Sequence, residues 1–172
     1  MHGNRDFLVG QRMLASCNTT LLHDPTVLSF NQQRWLLSHG DALCTDDAAY
    51  MAFRGLVRSA DWQQTFLAKP LSERQSVARG LRLQSQTQHE MRKQSGAPYA
   101  DIDAHAAKQL LIDANAATLI HGHTHQPAEH DLGSFLRRVV LTDWDMQAKP
   151  PRAEVLRLTK DGLERLPIND PL

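Results

Sequence analysis

Apolar positions fall in short runs divided by polar turns. Val27-Leu28-Ser29-Phe30 and Trp35-Leu36-Leu37-Ser38 flank Asn31-Gln32-Gln33, a pattern that predicts an antiparallel hairpin. A helix-like stretch, Phe7 to Leu14, precedes them. After the hairpin, Thr45-Asp46-Asp47 offers a capping hydroxyl followed by acids, which suits the positive end of a helix dipole. Ala49, Tyr50, Phe53, Leu56 and Val57 then recur at helical spacing and predict a buried stripe. Asp61 to Ala68 and Leu71 to about Gln84 predict a helical pair turning at Pro70, which passes into a polar stretch from Gln84 to Ser95. Another helix is expected from Ile102 to Ala114.

Thr118-Leu119-Ile120 predicts a short buried strand that runs into His121-Gly122-His123-Thr124-His125. Arg138 to Leu141, Glu154 to Leu158 and Leu163 to Leu166 read as further strands, the last two joined by the Asp161-Gly162 turn. Strands, then helices, then strands again predict an α/β sandwich with a helical insertion over about 58–100. No internal repeat and no clear linker are visible, and the whole chain, 1–172, reads as one domain.

Charge narrows the functional classes. The 19 basic and 19 acidic residues balance, which gives no support to a nucleic-acid binder with its usual basic excess. The two cysteines, Cys17 and Cys44, form neither a disulfide framework nor a Cys-x-x-Cys pair, and reduced thiols of a cytosolic protein are expected. Met1 to Arg5 has no signal-peptide pattern, and no window approaches the ~18 apolar residues of a membrane span. A soluble, intracellular protein is the expectation.

Three clusters carry chemistry: Gly3-Asn4-Arg5-Asp6, Ser38-His39-Gly40-Asp41 and Gly122-His123-Thr124-His125. Each falls at a sharp turn or a strand end, where sheet proteins assemble their sites. Imidazole suits Mn, Fe or Zn, and an asparagine oxygen suits a hard ion such as Mn. His-x-His on an extended loop can send its rings to opposite sides, and the flanking glycines allow tight turns. Taken singly, His-x-His also describes paired surface histidines, and His-Gly-Asp a strand terminus with an Asp cap. The three together, in this order, point to a metal site.

The series GNRD, HGD, GHTH resembles the second half of the calcineurin-like metallophosphoesterase pattern. His39 to Arg54 (HGDALCTDDAAYMAFR) and Leu119 to His130 (LIHGHTHQPAEH), with the arginine of GNRD, resemble the UDP-2,3-diacylglucosamine pyrophosphatase branch. The resemblance implies a metallophosphoesterase sandwich and two Mn²⁺ ions. It makes Asn4, His39 and His123 ligands of one ion and His125 a ligand of the other. Arg5 would contact the substrate phosphates, and Tyr50, Ser85 and Arg92 would line the nucleotide and glucosamine pocket with Asn4 and His123. The position near His89 usually carries an amide side chain in that family.

The implied reaction is hydrolysis of UDP-2,3-diacylglucosamine to UMP and lipid X in lipid A synthesis, at the cytoplasmic face of the inner membrane. The resemblance also implies that His123 is catalytic, close enough to the reacting phosphate to help, and that the helical insertion would form a cap with an apolar groove for acyl chains. Arg74, Arg79 and Arg82 sit where they face either lipid headgroups or solvent. The family's Asp-x-His and bridging Gly-Asp would precede GNRD, where only Met1 and His2 stand. One amide and three imidazoles, all neutral, are therefore expected to hold at most one ion, weakly, with impaired turnover and a sandwich lacking its first strands. The alternatives are a phosphoesterase acting on another nucleotide diphosphate and a non-catalytic fragment.

Overall fold

A computed structural model describes residues 1–95 and 101–168, the side chains of Gln88, His89, Arg92 and Lys93 excepted. The chain divides into two compact units, Met1–Thr45 with Ile102–Leu172, and Asp46–Asp101. The first unit is mixed α/β, as the order of runs predicts.

Its elements are α1 (Gln11–Ser16), β1 (Thr26–Phe30), β2 (Gln33–Ser38), α5 (Ala104–Asp113), β3 (Thr118–His121), β4 (Glu129–Gly133), β5 (Leu136–Val140), β6 (Glu154–Thr159) and β7 (Gly162–Pro167). Five strands form one sheet in the order β1-β2-β3-β5-β4, and β6 and β7 form a separate hairpin. β2, β3 and β5 are parallel; β1 and β4 close the two edges antiparallel. The β1–β2 turn is two residues, Asn31 and Gln32, at φ 48° and 60°. Positive φ at both central residues matches the right-handed twist of the flanking strands, so the predicted hairpin closes without splay.

The core joins one sheet face to α5. Leu36 of β2, Leu119 of β3 and Ala107 and Leu111 of α5 pack with Leu43, Cys44, Ile102 and Ala116. Asp103 starts α5 by accepting from the Ala106 amide, satisfying one of the orphan donors of a helix start. Its own amide donates to the Leu43 carbonyl at 2.8 Å, which ties the chain leaving β2 to the chain re-entering at α5.

The second unit is helical: α2 (Ala48–Val57), α3 (Ala60–Leu67) and α4 (Leu71–Ser95). Asp47 rather than Thr45 caps α2, accepting from the Tyr50 amide at 3.0 Å. Ser59 caps α3 through the Trp62 amide, and Trp62 stacks on Phe66 one turn later at 4.7 Å. The expected α2 stripe is narrower than its spacing predicts. Val57 is buried and Tyr50 and Phe53 half-buried, while Ala49 and Leu56 are exposed.

Three boundaries differ from expectation. The first helix begins at Gln11, not Phe7, because residues 4–8 turn and Gly10 stands extended at its N-cap. α4 continues through the polar stretch to Ser95. β4, which the apolar pattern does not announce, pairs with β5 around Ser134 and Phe135, both at positive φ. The insertion expected over 58–100 falls inside the helical unit, with 96–100 outside the described residues.

Candidate metal centre

Parallel pairing of β2 and β3 aligns Ser38 with His121. Both strands therefore end at the same sheet edge, and the loops that follow them, one from His39 and one from Gly122, lie side by side. The Gly122 amide donates to the His39 carbonyl at 3.1 Å and stitches the two together. The His39 and His123 rings meet edge to face, centroids 5.2 Å apart and planes at 68°.

The amino-terminal cluster joins the same place. The Asn4 amide donates to Nε2 of His39 at 3.2 Å. Asn4 thus reaches His39 through its main chain, a contact that the expected amide-oxygen ligation does not anticipate. A Cβ on Gly3 would lie 3.2 Å from Cε1 of His39, so this glycine permits the close approach. The Gly3 amide donates to Asp6 and closes the turn, leaving Arg5 exposed. On the other side, the His39 amide donates to the Asp24 carboxylate at 3.0 Å. Asp24 carries no motif signal, and its role follows from the fold alone.

Burial and charge set the state of His123. Its pKa is lowered to about 4, first by burial and next by repulsion from His39, against the opposing pull of Asp41. At neutral pH the ring is an uncharged imidazole, the form in which histidine ligates metals. Asp41 is fully buried. Thr124, next to His123, is buried as well, and its hydroxyl has no hydrogen-bond partner among the described residues. His125 is exposed on the same loop, at φ 55°. Nearby, at the exit of β5, Arg152 holds the Asp143 carboxyl below the usual carboxylate range through hydrogen bonds at 2.7 and 3.0 Å.

Asn4, His39 and His123 are thus brought together, with His125 two residues along. Among the described residues, no three His, Cys, Asp or Glu side chains stand as a ready-made cation site. The donor chemistry, two adjacent imidazoles with one held neutral, fits a transition ion at this edge. Tyr50 lies half-buried on α2 and Ser85 exposed on α4. Arg92 also lies on α4, its side chain outside the described residues, as is that of His89. Two buried residues beside the cluster, His121 and Arg138, escape motif reading, although a cation opening the apolar run Arg138-Val139-Val140 is a signal in itself.

No family model matches the chain. It is 46% identical over 172 residues to the UDP-2,3-diacylglucosamine hydrolase of Chromobacterium violaceum, covering 99% of this chain and 69% of that protein. The hydrolase of the same name from Chromohalobacter salexigens is 40% identical over 169 residues, covering 96% and 66%. That of Bordetella pertussis is 42% identical over 166 residues, covering 94% and 63%. The chain spans about two thirds of the length of these relatives. With identity of this level over nearly the whole chain, the chain belongs to the UDP-2,3-diacylglucosamine hydrolase family.

Proposed function

We propose that this chain carries part of the site of a metal-dependent hydrolase that cleaves the pyrophosphate of UDP-2,3-diacylglucosamine, releasing UMP and 2,3-diacylglucosamine 1-phosphate for lipid A synthesis. The relatives' shared name supports the substrate. The observation that carries the chemistry is the meeting of His39 and His123 at the common end of two parallel strands.

His39, His123 and the Asn4 side chain would hold one Mn²⁺, and His125 would contribute to a second. Bound Mn²⁺ supplies Lewis acidity and lowers the pKa of a coordinated water. The chain's own groups do the rest. His123, neutral at pH 7, offers a lone pair rather than a spare proton, so ligation suits it better than general-acid work. The exposed Arg5 grips phosphate oxygens with its planar fork. Tyr50, Ser85 and Arg92 receive the nucleotide and glucosamine. On the helical unit, Leu56, Leu67, Leu71, Leu83 and Met91 expose large apolar side chains, and these support an acyl-binding role for it. That exposed surface also supports a peripheral position at the cytoplasmic face of the inner membrane. None of the described helices is long and apolar enough to cross a bilayer.

The test measures UMP release with added Mn²⁺, for this chain alone and for the chain joined to the part of the Chromobacterium violaceum hydrolase that it does not span. Release is expected chiefly from the joined protein, and His39→Ala or His123→Ala should abolish it. A folded joined protein that releases no UMP would overturn the reading. Equal turnover of simple UDP-sugars would replace it with a broader nucleotide-diphosphate phosphoesterase.

A further inference from the structure

The turn that aims His123 is strained and has a buried support. The Thr124 amide donates to the Gly122 carbonyl at 2.8 Å and encloses His123 at φ 66°. A three-residue turn with positive φ at a residue other than glycine persists only where its surroundings over-determine it. The same Gly122 carbonyl lies 3.0 Å from Nδ1 of His121, a side chain with no exposed surface.

A carbonyl only accepts, so Nδ1 of His121 carries a proton. Nη1 of Arg138 stands 3.3 Å from Nε2 of the same ring, and a guanidinium only donates, so Nε2 holds the lone pair. The two contacts assign the same tautomer independently. Arg138 is 5% exposed in the middle of β5, paired with Leu119, while His121 is paired with Val140. Burying a guanidinium inside an apolar strand is costly unless its donors are used. The ring also fills the space beside β2's exit, where a Cβ on Gly40 would lie 2.9 Å from Nδ1.

We propose that Arg138 and His121 are positioning residues for the strand-end cluster. The guanidinium locks the His121 tautomer, the Nδ1–H holds the Gly122 carbonyl, and that carbonyl pins the turn presenting His123. The consequence for metal binding rests on His123 being a ligand, as proposed above; the hydrogen-bond chain itself does not.

The experiment uses ¹⁵N-histidine-labelled 172-residue chain, with Arg138→Met and Arg138→Lys. Two-bond ¹H–¹⁵N correlations report the His121 tautomer, amide exchange reports the Thr124 hydrogen bond, and Mn²⁺ affinity is read by electron paramagnetic resonance. The wild type should show His121 solely as the Nδ1–H form. Arg138→Met should mix the tautomers, speed Thr124 exchange and weaken Mn²⁺ binding by about 10- to 100-fold, the usual effect of losing an outer-shell partner. Arg138→Lys, which keeps a donor, should recover part of each. An Nε2–H tautomer in the wild type overturns the proposal even if Arg138→Met does not fold. So does Thr124 exchange that Arg138→Met leaves unchanged. A wild type that binds no Mn²⁺ yet shows the tautomer and exchange effects sinks the metal reading and upholds the positioning chain.

Discussion

Gly40 leaves β2 at φ 100°, a conformation that a Cβ disfavours, and its α-carbon faces the His121 ring so closely that an added methyl would lie 2.9 Å from Nδ1. Gly40→Ala should therefore destabilise by roughly 2 kcal/mol, from the left-handed backbone and the contact together. A thermal melt should fall by about 4–8 °C. His123 gives a prediction in pH. Its folded pKa, about 4, lies below the ordinary 6.5, so between those values the unfolded chain binds more protons. Stability of the metal-free protein should be flat above about pH 6.5 and decline as pH falls toward 4. Urea midpoints across that window check the slope, which His123→Gln should reduce. At this scale the site was half legible. His39, His123 and Asn4 announce themselves through glycine-flanked motifs. Asp24, His121 and Arg138 make contacts that only strand pairing creates; of the three, only Arg138, a cation opening an apolar run, leaves a local signal.

Among the elements, the hairpin of β6 and β7 is held to the main sheet by one side chain more than any other. Arg165 of β7 donates to the carbonyls of Ala128 and Val140 at 3.1 and 2.7 Å and to Glu154 at 3.1 Å. Arg165→Met keeps the length of the stem, leaves the Ala128 carbonyl to the Val140 amide alone and takes the Arg165 donor from the Val140 carbonyl, at a cost of about 2 kcal/mol. Amide exchange should accelerate across 154–167 before it does in β2 or β3. Apolar alternation made β1 and β2 readable, because a half-buried strand must alternate. β4 reads Glu-His-Asp-Leu-Gly, an edge strand of charged and small residues, and its pairing comes from β5 rather than from its own composition. α4 fails the same criterion for a related reason. Among its described side chains only Arg74 is not exposed, so no apolar stripe marks its second half.

At the level of the whole molecule, the α/β unit contributes residues on both sides of a helical unit that spans 46–101. The order of strands, helices and strands predicts an insertion over about 58–100 in a single domain, whereas the helical unit begins at Asp46 and takes in α2 as well. Replacing 46–101 by a short Gly-Ser link should leave the α/β unit with a cooperative thermal transition and intact β2–β3 pairing, detectable by amide exchange. Loss of that transition would show that the unit depends on the helices. The reason to expect independence is the Asp103–Leu43 hydrogen bond, which shuts the neck where the chain departs and returns. A closed neck changes what evolution can do with the excursion. Lengthening such a loop twofold costs only ~0.6 kcal/mol of closure entropy. The helices are thus free to grow, shrink or drift in sequence while the histidine loops stay fixed.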